Sequence, residues 1–119
     1  MGNLLSIVVH AANIHDTKSG IMPARIAKEK YPTIIGYCAD CGYRGTFVEQ
    51  VSSELKCKVD ITEKIKPHCW EKLPWRWVVE RTLSWFNNSR RLSKDYEITI
   101  KSAEAMAKIS HIHTLLKRL

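Results

Sequence analysis

Residues 33–42 read TIIGYCADCG, an apolar run that ends on an acid and a glycine. The run 33–39 has the length and β-branched content of a central strand. It stops at Asp40-Cys41-Gly42, where a glycine permits a sharp turn. Residues 46–55 then suit a helix. In Cys57-Lys58-Val59-Asp60-Ile61 apolar and polar residues alternate, which predicts a strand with one wet face. A strand, a helix and a second strand in succession are the start of an α/β fold.

Working outward, residues 3–9 (NLLSIVV) read as a further buried strand. Asp16, Thr17 or Ser19 can cap a helix that runs to about Lys30, with Pro23 tolerated in its first turns. Residues 63–72 read as a loop, and Pro74 stands where a proline opens a helix. From Trp75 to about Asn88 the periodicity is helical. Val78, Thr82 and Trp85 share one side, widened by Trp75, Val79 and Phe86. Arg76, Glu80, Ser84, Asn87 and Arg91 share the other. Residues 102–118 form a last amphipathic helix, with the apolar stripe Ala105, Ile109, Ile112, Leu116 and Leu119 and with Lys117 and Arg118 suited to its C-terminal dipole.

A chain of 119 residues that is 45% apolar can bury one modest core, which sets it apart from disordered tails. No apolar run approaches the ~20 residues of a membrane helix. The opening MGNLLSIVVHAA lacks a basic n-region and reads as an interior strand rather than a signal peptide, so the expected compartment is the cytoplasm. The net charge of +7 is uneven: residues 1–60 hold seven Lys/Arg against six Asp/Glu, and residues 61–119 hold twelve against six. A basic half suits a phosphate-bearing partner, and equally a merely well-solvated surface. Of the four cysteines, Cys38 and Cys41 form a C-x-x-C pair. Their spacing to Cys57, His68 and Cys69 matches no common zinc module, and reduced structural cysteines are the simpler expectation.

Two acids stand out by position. Asp40 closes a strand, and sites in open α/β sheets gather at the carboxyl ends of strands. The plainer reading is a turn Asp that bonds its own backbone. Glu80 lies inside a helix one turn after Arg76, and on physics alone is surface decoration. Two carboxylates meeting at one cleft would instead suit Mg²⁺ or Mn²⁺ and phosphoryl transfer. All four tryptophans, Trp70, Trp75, Trp77 and Trp85, fall near Glu80. Trp75 and Trp85 read as core, and Trp77 sits nearer the Glu80 side, where a ring can stack on a base. Lys94, Lys101 and Lys108 read as a solvated basic face.

The stretch WRWVVERTLSWFNNSRRLSKDYE (75–97) resembles the segment that holds the catalytic Glu in bacterial insertion-sequence transposases of the DDE type. YCADCGYRGTF (37–47) is similar to the segment with their second catalytic Asp, and GNLLSIVVHAANIHD (2–16) to the strand and turn before it. The three blocks keep the family's order and span nearly the whole chain. The resemblance implies a ribonuclease H-like α/β sheet, here a partial one with flanking helices and the C-terminal amphipathic helix. It implies Asp40 and Glu80 as catalytic and metal-binding carboxylates, Gly42 and Tyr43 as the supporting turn, and Mg²⁺ or Mn²⁺ as cofactor. Arg76, Arg81, Arg90, Arg91 and Lys94 become the candidate DNA contacts.

The family's first catalytic Asp precedes the region that matches residue 1, and Asp16 matches a later acidic position. The expectation is therefore a single truncated catalytic domain over 1–119, without the upstream strands and with two of three carboxylates. Its implied function is metal-dependent DNA cleavage and strand transfer, weakened or lost in this piece, with element ends and target DNA as partners. The alternative is a non-catalytic basic DNA-binding remnant that mixes with, and inhibits, an intact transposase copy. Salt-sensitive DNA binding without metal-dependent cleavage distinguishes the second from the first. A zinc-stabilised module on Cys38 and Cys41 is a third possibility, removed if the purified protein holds no zinc.

Overall fold

The computed structural model describes residues 3–62 and 76–119 and divides into two compact units. The expected loop at 63–72, Pro74, Trp70 and Trp75, and the side chain of Arg76 lie outside the described residues.

The central unit holds the elements predicted from residues 33–61. Strand β1 (Gly36–Ala39) pairs in parallel with β2 (Lys58–Ile61), in the register Gly36 with Lys58 through Ala39 with Ile61. Parallel neighbours need a crossover, and α3 (Thr46–Leu55) is that crossover. It starts after Gly45, whose φ of 86° favours glycine, and ends where Lys56 turns left-handed at φ 51°. Phe47 and Val51 of α3 are buried against Ile21 and Ala24 of α2 (Ile21–Lys30) and against Cys57. Tyr37, Tyr43, Leu55 and Val59 pack around them. The Tyr37 hydroxyl donates to the Ala24 carbonyl at 2.9 Å and fastens β1 to α2.

Three expectations here are corrected. The helix expected from Asp16 onward is two: α1 (Asp16–Ser19) and α2. Pro23 has no N–H for the Ser19 carbonyl, so the ladder breaks between them. The cap of α1 is His15, which accepts from the Thr17 N–H, and not Asp16, Thr17 or Ser19. At the junction, a Cβ on Gly20 would stand 2.7 Å from the Tyr43 ring and 3.0 Å from that of Phe47, so only glycine lets the chain come this close. The strand expected over 33–39 is confined to its last four residues. β2 begins at Lys58, so the chain before Gly36 finds only one further ladder bond, Lys58 N–H to the Ile35 carbonyl, and Ile35 is exposed.

The other unit, seen in residues 3–9 and 76–119, is built on α4 (Arg76–Asn87) and α5 (Ile100–Leu116). Residues 3–9 are not a strand. Side chains of α5 take two of their backbone N–H groups: Leu4 N–H donates to His111 Nε2 and Val9 N–H to Glu104 Oε1, both at 3.0 Å. Helix α4 agrees with its predicted sides. Val78, Thr82, Trp85 and Phe86 are half-buried, while Glu80, Ser84, Asn87 and Arg91 are exposed; Val79, expected inside, is exposed too.

Helix α5 reverses its prediction. Ala105, Ile109, Ile112, Leu116 and Leu119 are exposed, and the buried residues are Ala107, Ser110 and His111. Small and polar residues face inward because the inward contacts are hydrogen bonds and rings. Ser110 Oγ meets Ser89 Oγ, His111 binds Leu4, and the Phe86 and His111 rings meet edge-on at 6.2 Å.

Val51 is fully buried in the central core. Val51→Ala should cost about 2 kcal/mol through lost apolar burial and a residual cavity. The check is urea unfolding, as a lower midpoint at unchanged slope. A loss below about 0.5 kcal/mol would show that α3 is not anchored there.

Candidate functional site

Asp40 leaves the carboxyl end of β1 in extended conformation and caps the 3-10 turn Cys41–Tyr43. Its Oδ1 accepts the Gly42 N–H at 2.9 Å. The turn-Asp reading is thus realised, and it fixes an exposed carboxylate rather than hiding it. Gly42 serves a different purpose from the one expected. Positive φ among the described glycines belongs to Gly45, whereas a Cβ on Gly42 would stand 3.1 Å from Asp40 Oδ1. Gly42 is therefore small so that the carboxylate can fold back on it.

Asp16, at the start of α1, shares this corner. Its Oδ2 lies 3.9 Å from the same Cβ position. Burial raises the Tyr43 phenol above its ordinary pKa, and the charges of Asp16 and then Asp40 raise it further. Two carboxylates and a phenol that stays protonated thus meet at the end of β1. Sequence reasoning left Asp16 outside the site, because a separation of 24 residues across a strand and two helices carries no periodic signal. Carboxylate oxygens are the donor type a hard divalent cation prefers. Among the described residues, however, no group of three His, Cys, Asp or Glu side chains could hold a metal ion. The corner fits a divalent cation in donor type and needs a further donor to complete a site.

Cys38, Cys41 and Cys57 are free thiols. Burial, and then the charge of Asp60, raises the Cys38 pKa and disfavours its thiolate. Cys57 is buried and donates to the carbonyls of Ile34 and Leu55, a structural use.

Glu80 is exposed on α4 in the other unit, so the structure gathers Asp40 with Asp16, Gly42 and Tyr43, and sets Glu80 among the aromatic and basic residues of α4. The Arg81 guanidinium lies 4.5 Å from the Trp77 ring centre and 5.1 Å from that of Trp85. Arg118 lies 3.8 Å from the Trp85 ring. This Trp–Arg–Trp–Arg ladder sets two cations against aromatic rings within cation–π range. It also gives Trp85, expected as core, a half-buried seat between two charges.

Of the other expected DNA contacts, Arg90, Arg91 and Lys94 are all exposed. Arg91 is engaged: its Nη2 bonds Glu97 Oε1 at 2.6 Å, and Ser102 Oγ donates to Glu97 Oε2 at 2.7 Å. The Ser102 hydrogen bond, followed by the Arg91 charge, holds the Glu97 pKa below its ordinary value.

The family model described as Transposase DDE domain matches residues 1–115. Searches of curated proteins and of solved structures give no match.

The Glu97 clasp sets a pH dependence. A carboxylate whose folded pKa is lowered stabilises the fold above its unfolded value and loses that contribution as pH falls through the folded value. The thermal midpoint should therefore fall on acidification below the usual carboxylate range, and Glu97→Gln should start lower at neutral pH and respond less to acid. Equal acid sensitivity in both proteins would exclude the clasp as its source.

Proposed function

The chain belongs to the transposase DDE domain family, and from that premise we propose that it acts on DNA in transposition, with Asp40 and Glu80 as two of the carboxylates that hold a divalent metal. The observation that carries this reading is the placement of Asp40. It closes a strand of a parallel β-α-β unit, where α/β folds build their sites, and its carboxylate is oriented by the Gly42 N–H. The same unit supports the finer reading of a ribonuclease H-like sheet.

Mg²⁺ or Mn²⁺, when bound, supplies Lewis-acid stabilisation of the phosphate undergoing attack. The protein contributes position and charge. Gly42 holds the Asp40 carboxylate in one orientation, and Glu80 offers a second carboxylate on a helix rather than a loop. Arg81 is held by two tryptophan rings, and Arg90 and Lys94 are exposed cations suited to phosphate contacts. The family pattern calls for three carboxylates, and residues 1–119 match two of them.

A second reading has its own support in the excess of twelve Lys/Arg over six Asp/Glu in residues 61–119. In it the chain binds DNA without cutting and interferes with an intact transposase copy.

Cleavage of a short DNA duplex with Mn²⁺ separates the two. Under the first reading cutting is measurable, and Asp40→Asn and Glu80→Gln each reduce it to background while leaving DNA binding in place. Cutting that survives Glu80→Gln would remove Glu80 from the site. Salt-sensitive binding with no cutting by the wild-type chain selects the second reading.

A further inference from the structure

Beside the ladder on α4 lies an open pocket of about 250 Å³, lined by Trp85, Asn88, His113, Thr114, Lys117 and Arg118 with Ser89 at its wall. We propose that this pocket seats a DNA backbone phosphate, as a contact separate from the carboxylates. The inference rests on the DNA-binding reading above and adds to it a place where the duplex is held.

Its lining has two fixed cations, an imidazole and a side-chain amide, and no carboxylate. The cations do not cap the helix end. The last carbonyls of α5, those of His113, Leu115 and Leu116, already accept the backbone N–H groups of Lys117, Arg118 and Leu119. The two hydroxyls near the wall are also committed: Thr114 Oγ1 donates to the Ser110 carbonyl, and Ser89 Oγ pairs with Ser110 Oγ. The donors left for a ligand are those of Asn88, His113, Lys117 and Arg118.

Arg118 is the most constrained of them. Its guanidinium carbon lies 3.8 Å from the Trp85 ring centre, a cation–π contact that leaves the guanidinium N–H groups able to donate to an anion. That contact also removes rotamer freedom that a solvated arginine would lose on binding. The donors of the pocket are those of a phosphate clamp. Such a contact positions the duplex and carries no sequence information.

The test is fluorescence anisotropy of the full chain with a fluorescein-labelled short duplex across a salt series. Lys117→Gln is compared with Lys101→Gln, which removes the same charge from an exposed site on α5 outside the pocket. Lys117 is exposed and at the helix end, so its substitution leaves the packed face alone, and circular dichroism checks this. Lys117→Gln should weaken binding well beyond Lys101→Gln and lower the salt slope by roughly 0.9, the value of one phosphate contact. Arg118→Lys, which keeps the charge and loses the guanidinium fork, should also weaken binding. Equal effects of Lys117→Gln and Lys101→Gln would overturn the pocket in favour of diffuse charge. If Arg90→Gln weakens binding and Lys117→Gln does not, the pocket fails while the proposed function stands. A wild-type chain that binds no duplex removes both.

Discussion

Two parallel strands cannot be joined by a tight turn, and the central unit is organised around that constraint. The chain leaving Ala39 must travel back along the sheet before Lys58 can pair. Helix α3 makes the return, and its apolar side supplies Phe47 and Val51 to the core. The requirement reaches outward to two glycines. Gly45 starts the crossover with a backbone geometry that side-chain-bearing residues rarely adopt, and Gly20 admits the Tyr43 and Phe47 rings against the junction of α1 and α2. It also fixes the position of Asp40. A carboxylate at the exit of β1 inherits the rigidity of the strand while the turn after it keeps the group in solvent.

The central unit was legible because its signals are local. The alternation over 57–61 and the helical spacing over 46–55 each report one element, and each element formed where its pattern stood. Residues 3–9 show the limit. An apolar β-branched run has the same appearance whether or not a strand lies beside it, and pairing is decided by residues far away in sequence. Here the backbone found His111 and Glu104 instead. Helix α5 failed for a related reason. It carries large aliphatic residues on one side and small ones on another, and hydrophobicity favours the large ones. Packing favoured Ala107, Ser110 and His111, which let α4 and residues 3–9 approach.

The candidate site was legible in part, by two different routes. Asp40 could be found from physics, since a strand that ends on an acid and a glycine marks a position. Glu80 could not, because a glutamate inside a helix looks like many others, and its assignment came from the resemblance of the residues around it. Asp16 was missed by the physical route because its proximity to Tyr43 exists only after folding. The ladder arginines were similarly hidden. Trp77, Arg81 and Trp85 do recur at the four-residue spacing that brings side chains together on a helix, but Arg118 joins them only through the tertiary fold.

The hydrogen bonds from Leu4 to His111 and from Val9 to Glu104 join residues 107 and 95 positions apart. That has a consequence for the order of assembly. The central unit is one continuous stretch and can close as soon as β2 is made. The other unit is interrupted by it, and residues 3–9 emerge from the ribosome long before their acceptors on α5 exist. Closing a loop of that size costs about 2 kcal/mol more than closing one a tenth as long, yet an already folded central unit shortens the effective span. The early chain therefore waits with an apolar segment unpaired until α5 is made, so the unit that carries Glu80 closes after the central one.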